Sequence, residues 1–365
     1  MLTETKKLKY WVLIEHLRDQ IAQRELAPGD RVPSLAEMQL QFHVSRGTVE
    51  KAYALLEREG LLVREQGSGT FVAEPAKHSA TGILGLIMHA KTPDVTAPYT
   101  LHLLAGIRRE AERRNLKIHW LNSQDEKNIS REQMDAVLLY CHPTEALALG
   151  LPADMPQVLL FHHSPDFPCV CADDSTGIQL AIQHLSGLGH RNICYIARSE
   201  IDSPSKQRVA GYRAAVKQAG GLLNAENIRF LIDDRALSFR KAGEMTMRTW
   251  LQEGWSQLNC TAIVAHNDDA AIGIIKALTK YGLRVPEDVS VMGFDGTETG
   301  ELCTPPLTSI KVPLEEIGEQ AVKVLLEQIA NGVPSAPSKI MLPAQLKLGE
   351  STAPIKTFSR SNSEE

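Results

Sequence analysis

The chain has 365 residues, 43% of them hydrophobic and 23% charged, with a formal net charge of −5. That length exceeds one ordinary domain and suits a small domain joined to a bilobed one. No global basic field advertises a nucleic-acid partner: over residues 1–78, Lys and Arg total 11 and Asp and Glu also total 11, so DNA affinity must come from local placement of charge. The six cysteines, Cys141, Cys169, Cys171, Cys194, Cys260 and Cys303, form no C-x-x-C pair, and most sit in apolar runs. They read as buried, reduced thiols with no metal to hold. The opening residues are polar and charged, and no run of about 18 apolar residues exists to span a bilayer, so the expected location is the cytoplasm with no membrane partner.

Apolar residues at three- and four-residue spacing, Leu8, Trp11, Val12, Ile14, Leu17, Ile21 and Leu26, predict a first helix over 7–26. Pro28-Gly29-Asp30 stops it. Ser34 is placed to cap a short second helix, with Glu37 as its capping-box partner. His43-Val44 turns the chain, and Ser45 caps a third helix running to about Glu59 and closed by Gly60. Leu61–Arg64 and Thr70–Ala73 read as strands of a hairpin around Gly67-Ser68-Gly69. Residues 1–74 therefore form three helices and a wing, a winged helix-turn-helix, and 75–81 a linker without periodicity.

After the linker, short apolar runs alternate with amphipathic stretches. The runs are Ile83–Met88, Lys117–Leu121, Ala136–Tyr140, Gln157–Phe161, Cys169–Ala172, Asn192–Ala197, Ile228–Ile232, Ala262–Ala265, Val289–Phe294 and Leu307–Val312. The helical stretches are 99–115, 175–188, 205–219, 239–253, 268–281 and 313–331. This alternation predicts an α/β region over 82–350, with parallel sheets covered by helices on both faces. There are too many strands for one small sheet, so two lobes are expected. Residues 351–365 are polar and aperiodic and read as a disordered tail.

Three helices with a tight turn before the third, followed by a wing, make a reader of the DNA major groove. Arg46 projects from the first turn of the third helix, where a guanidinium can take guanine O6 and N7 together. Thr48 and Lys51 reach phosphate, and Gly47 lets the backbone approach. A structural hairpin unit with Arg46 as a solvated surface residue fits the spacing equally well. The segments Pro28-Gly-Asp-Arg-Val-Pro-Ser34, Val44-Ser-Arg-Gly-Thr-Val49 and Gly67-Ser-Gly-Thr-Phe-Val72 tip the balance. In order and separation they resemble the GntR-type winged helix-turn-helix. The resemblance implies operator binding as a homodimer, with DNA contacts from Arg31, Ser34, Ser45, Arg46, Gly47, Thr48, Lys51, Gly67, Ser68 and Gly69. Leu35, Ala36 and Glu50 depart from the family pattern. Glu50 would repel phosphate or accept from a cytosine amino group, which implies an unusual operator.

In open parallel sheets, ligands bind beyond the carboxyl ends of the strands. The polar residues there are His89, Cys141 with His142, His162 with His163, Asp173 with Asp174, Asn267 with Asp268, and Asp295. Carboxylates, amides and imidazoles in this mix suit a hydroxyl-rich ligand, and Tyr99, Phe161 and Phe239 can face a ring. Singly, each has a plain structural reading: Asp174 and Asp268 as helix caps, Asp295-Gly296 as a turn. The segments Ala172–Gly177, His184–Ile193, Arg208-Val-Ala-Gly-Tyr212, Ala262–Gly273, Val289–Asp295 and Leu307–Ile310 resemble the effector domain of the LacI/GalR family. That family has the periplasmic-binding-protein fold, in which two lobes close on a sugar or nucleobase and move the DNA-binding heads. The resemblance implies effector contacts from Arg208, Asn267 and Asp295, and by position from His89, Tyr99, His162 and Phe239. Asp174 stands where the family has Asn. Between Leu121 and Ala136 there are too few residues for the full helix expected in the first lobe.

The resulting reading is a DNA-binding transcription regulator, by default a repressor, that responds to a small-molecule effector, a sugar, with no catalytic residues, metal or cofactor. The alternatives are an α/β enzyme acting on a sugar or nucleotide, a corepressor-dependent regulator of nucleoside metabolism, and a transport-associated binding protein. No G-x-G-x-x-G or G-x-x-x-x-G-K-[ST] phosphate loop supports the enzyme.

Overall fold

The structure, a computed structural model, describes residues 4–22, 25–58, 61–65, 68–73, 81–88, 97–121, 133–152, 154–199, 203–222, 225–234 and 237–355. The chain divides into two units, Met1–Thr81 and Gly82–Glu365.

The first unit holds α1 (Glu4–Ala22), α2 (Leu35–Phe42), α3 (Arg46–Arg58) and the antiparallel strands β1 (Leu62–Glu65) and β2 (Gly69–Val72). Leu13, Ile14 and Leu17 of α1 are fully buried in a core with Met38 of α2 and Val49, Tyr53 and Leu56 of α3. Trp11 and Val12, counted in the apolar stripe from sequence, instead lie on the exposed side of α1. The buried face runs through Tyr10, Leu13, Ile14, Leu17 and Ile21, whose spacing of three and four residues turns one side of the helix to the others. α2 opens on the expected capping box: the Glu37 N–H donates to Ser34 Oγ (3.3 Å) and the Ser34 N–H to Glu37 Oε2 (2.6 Å). His43 adopts a left-handed φ of 50° and turns the chain into α3. Glu65 pairs with Gly69, so both strands reach one residue nearer the tip than their sequence limits. Glu59, Gly60 and Gly67 lie outside the described residues.

The second unit has two lobes built on sheets that are parallel except for one edge strand. The N-lobe sheet runs in the order β13-β7-β6-β5-β3-β4, from β3 (Ile83–Met88), β4 (Lys117–Leu121), β5 (Ala136–Tyr140), β6 (Gln157–Leu160), β7 (Cys169–Ala172) and β13 (Lys339–Leu342). It carries α4 (Pro98–Arg113), α5 (Pro143–Ala148) and α12 (Leu314–Asn331). The C-lobe sheet runs β14-β12-β11-β10-β8-β9, from β8 (Ile193–Ala197), β9 (Ile228–Phe230), β10 (Ala262–Ala265), β11 (Ser290–Asp295), β12 (Thr308–Lys311) and β14 (Gln345–Lys347), with β14 antiparallel to β12. Its helices are α6 (Asp174–Gly187), α7 (Ser203–Gln218), α8 (Phe239–Glu253), α9 (Trp255–Leu258), α10 (Asp268–Lys280) and α11 (Glu298–Glu301). Central strands β5, β8, β10 and β11 are buried without interruption, and their interiors are correspondingly apolar. β13 and β14, absent from the sequence reading, are edge strands of four and three residues, too short to stand out.

The chain crosses between lobes three times: at Asp173 after β7, at Val312-Pro313 after β12, and at Pro343-Ala344 between β13 and β14. The second crossing sends α12 back to pack on α4. There the backbones nearly touch, since a Cβ on Gly318 would come 2.4 Å from the Leu103 carbonyl oxygen. Direct ties span the lobes: the His163 N–H beyond β6 donates to Ser203 Oγ of α7 (3.0 Å). His102 of α4 faces Glu298 of α11 through Nε2 (2.9 Å) and Glu315 of α12 through Nδ1 (3.1 Å).

Two sequence expectations are corrected here. Residues 351–355 are not a loose tail: Ser351 is fully buried, its hydroxyl donates to the Val291 carbonyl, and the Ile355 N–H donates to the Leu188 carbonyl. Their polar side chains satisfy the outer edge of the C-lobe. Nor are all the thiols reduced. Cys194 of β8 and Cys260 before β10 form a disulfide with Cα atoms 6.3 Å apart. Only the parallel pairing of β8 with β10 brings these distant positions together.

Candidate functional site

In the first unit, the start of α3 places Ser45, Arg46, Gly47 and Lys51 in solvent and Thr48 at half exposure. Ser45 Oγ lies 2.8 Å from Thr48 Oγ1, and the Ser45 carbonyl accepts from the Thr48 and Val49 N–H groups. Arg46 Nε donates to Glu50 Oε1 at 2.9 Å, with both side chains exposed. Glu50 is therefore the ion-pair partner of the arginine expected to read bases.

The other signature segments build the scaffold. Gly29 N–H donates to the Val72 carbonyl, Val32 N–H to the Thr70 carbonyl, and Arg31 bridges Phe71, so residues 29–32 extend the wing. Gly69 has φ 129°, and a Cβ there would come 2.9 Å from Arg31 Nε. The Arg31 side chain thus lies across the wing backbone. Tyr53 donates its hydroxyl to the Pro33 carbonyl and ties α3 to the same segment. Ser34 is engaged in the capping box. Ser68 is exposed, and an added Cβ on Gly47 would meet nothing within 4 Å.

In the second unit, the described candidates lie near strand ends of both lobes. Arg208 of α7 is 6% exposed. It donates from Nε to Asp174 Oδ1 (2.6 Å) and from Nη1 to the His266 carbonyl (2.8 Å), and its guanidinium lies 3.7 Å from the Phe294 ring centroid. Asp295, also buried, ends β11 with φ 117°, a conformation that costs a non-glycine residue free energy. Burial, and then the charge of Asp268, push its carboxyl well above the usual carboxylate range, while Arg208 pulls it down. From the N-lobe, Tyr99 stacks on Phe161 (5.2 Å), and Phe161 on Tyr140 (5.3 Å). Phe161 has a φ of 64°, so strained backbone faces the cleft from both lobes. Tyr99 lies close enough to Asp295, Arg208 and Asp174 to feel their charges, and burial raises its hydroxyl's pKa. Phe239 stacks on His266 (5.4 Å), and His142 meets His162 edge-on (5.4 Å).

Two placements differ from the sequence reading. The helix caps are Asp173 and Asn267, not Asp174 and Asp268: Asp173 accepts from the Thr176 N–H and Asn267 from the Ala270 N–H. Asn267 thereby commits its side-chain oxygen, leaving its amide nitrogen to reach a ligand. Asp268 is buried and accepts from Thr297 N–H and Oγ1 and Ser309 Oγ. Burial raises its pKa to about 6. The caps sit one residue earlier because the following residue already belongs to the helix. Tyr140, Arg198 and His266 were not anticipated. Asp174 carried a signal, since a charged residue stands where the resembled family has Asn, and it pairs with Arg208. His89 lies outside the described residues. Among the described residues, no His, Cys, Asp and Glu group could hold a metal and no helix is long and apolar enough to cross a membrane.

Residues 9–72 match the gntR family of bacterial regulatory proteins, and residues 182–352 match the periplasmic binding protein-like domain. The chain is 30% identical over 271 residues to the ribose operon repressor of Escherichia coli (strain K12), covering 71% of this chain and 78% of that protein. The chain belongs to this family of transcriptional regulators. The regulator is also 28% identical over 341 residues to the arabinose metabolism transcriptional repressor of Geobacillus stearothermophilus, 88% of this chain and 91% of that one. A LacI family regulator from Enterococcus faecium with bound ribose superposes with a TM-score of 0.63 at 25% identity, over 75% of this chain and 100% of that one. The CelR–cellobiose complex, at 22% identity and a TM-score of 0.67, covers 88% of this chain and 100% of its own and shows the fold. These relatives are transcription regulators, which sets aside the enzyme alternative.

Proposed function

We propose that this regulator is a cytoplasmic repressor whose head binds a pseudo-palindromic operator and whose cleft binds a sugar that changes operator affinity. The observation that carries this reading is the fixed polar set of Arg208, Asp174 and Asp295 facing Tyr99 and Phe161 across one cleft. Rigid hydrogen-bonding groups beside aromatic faces suit a hydroxylated ring. His162, Phe239 and the Asn267 amide nitrogen complete the contacts. Arg46 reads bases once DNA displaces Glu50. Lys51, Thr48, Ser45 and Gly47 approach phosphates, and Arg31 with Ser68, Gly69 and Gly67 enters the adjacent groove. Ser34 acts by holding α2.

The operative unit is a homodimer. A groove of about 560 Å³ between α4 and β4, lined by Leu101, Leu104, Arg108, Ile118 and Trp120, supports it. It includes the half-exposed Leu101 and Trp120 and none of the cleft residues.

The test is enrichment of binding sites from random DNA duplexes, followed by titration of the selected site with a panel of neutral sugars and nucleosides. The expected result is a two-fold symmetric site whose affinity one sugar changes by about 5- to 150-fold. Asp295→Ala should abolish that response while keeping operator binding. Enrichment of no sequence, or an unchanged response in Asp295→Ala, would refute the reading.

A further inference from the structure

The cleft holds two arginines in opposite circumstances. The charge of Arg208 is matched by Asp174 at 2.6 Å. Arg198, at the end of β8, is exposed, and no described carboxylate pairs with it. Its guanidinium lies over the Phe239 ring, 5.3 Å from the centroid, on the aromatic pair that Phe239 makes with His266. From there its charge reaches Tyr140 of the opposite lobe and opposes the rise that burial imposes on that hydroxyl. The nearby Arg240 is paired with Asp269 and offers no competing charge.

The facing rim of the N-lobe carries imidazoles. His142 follows β5 just beyond Tyr140, and its ring meets His162, which follows Phe161. His142 Nδ1 accepts from the Thr144 N–H at 3.4 Å and lies 2.8 Å from Thr144 Oγ1. An Nδ1 that accepts fixes the neutral ring's proton on Nε2, which makes that nitrogen a donor. The lobes meet here, where the His163 N–H donates to Ser203 Oγ at 3.0 Å, so this end of the cleft offers a guanidinium with no described carboxylate from one lobe and an imidazole N–H from the other. The guanidinium is exposed and lies over the Phe239 ring, and such a group can receive a carboxylate or phosphate through two N–H groups.

We propose that the effector is an anionic sugar, a sugar phosphate or sugar acid, whose charged group sits between Arg198 and the His142–His162 rim. This rests on the sugar-effector reading and sharpens its ligand class. The hydroxylated ring occupies the Arg208 and Asp295 end, and the anion bridges both lobes at the other. Closure then brings two lobes onto one charge, which links the anion to the lobe angle. An anion set between a cation and oriented donors gains most where water is excluded.

The test uses the full chain in calorimetry and thermal melting with matched probes: D-ribose against ribose 5-phosphate, and D-glucose against glucose 6-phosphate and glucuronate. In at least one set the anionic member should bind about 10-fold tighter than its neutral partner, with the gap narrowing as salt rises. Arg198→Gln should bring that ratio close to one. Preference for phosphate or for carboxylate names the source of the charge. Neutral members binding as tightly as every anionic one, no binding by any anionic member, or a ratio retained in Arg198→Gln would each overturn the inference. A neutral sugar that loosens operator binding without any anion preference would overturn it and leave the repressor reading standing.

Discussion

The head and the cleft each centre on an arginine, and the two are held in contrasting ways. Arg46 is exposed, on the first turn of α3, and paired only with Glu50 one helical turn away. Arg208 is buried, with one bond to a carboxylate, one to a carbonyl and a ring beneath it. The head therefore presents a mobile charge on a rigid scaffold of caps and wing contacts. The cleft presents an immobile charge whose desolvation was met on folding. A surface that must fit a long, flexible polyanion can reorganise as it binds, whereas a pocket that must distinguish small ligands gains from groups already in position.

The largest effect should follow from unbalancing the cleft. Arg208→Ala leaves Asp174 buried without its cation and should destabilise the protein by about 3–5 kcal/mol, read by chemical denaturation. A loss as small as that of a surface arginine would mean the pair is not buried in solution. Arg46→Ala should do the reverse: little change in stability, but operator affinity weaker by about 1–3 kcal/mol in mobility-shift titration. Unchanged affinity would remove Arg46 from the reading face. Glu50→Gln frees Arg46 and removes a negative charge facing phosphate, so operator binding should tighten by a factor corresponding to about 0.5–1 kcal/mol. Weaker binding would instead assign Glu50 a base contact.

The smallest effect concerns the His102 tie between lobes. Glu298 and then Glu315 raise the pKa of His102 above its ordinary 6.5, while His102 lowers Glu298 and contributes to lowering Glu315. Arg109 also pairs with Glu315, and Lys347 faces Glu298. The imidazolium's contribution is complete below its unfolded pKa and fades as pH rises through the raised folded value. The contribution of the lowered carboxylates fades as pH falls through theirs. For a half-exposed pair this amounts to about 0.5–1 kcal/mol. Melting temperatures of wild type and His102→Gln should diverge most in mildly acidic buffer and converge in alkaline buffer. Equal spacing at both ends would exclude the ion pair.

How much of this was legible depends on the range of the signal. β3, β4, β5, β7 and β10 match their apolar runs residue for residue; all but β4, an edge strand largely exposed, are runs buried on both faces, a signal the strand itself carries. The Ser34–Glu37 box was equally local. The cleft was legible in part: Arg208, Asp295, Tyr99 and Phe239 are there, but Asn267 was read as a ligand without its capping bond. Arg198 had no motif around it, and only the packing of β8 beside α8 and opposite Tyr140 shows what it faces.

The sequence by itself determined the two-part architecture, the order of helices and parallel strands, and the residue types available at the reading helix and the strand ends. These follow from periodicity, capping chemistry and turn residues, all of which act over a few neighbours. Only the tertiary structure decided which buried or cleft charges are matched: Asp174 with Arg208, and Arg198 with no described carboxylate. It also decided that Cys194 joins Cys260, that 351–355 close the C-lobe, and that His102 spans the lobes. Such pairings join distant positions, and their strength is set by distance and burial, which no local pattern encodes.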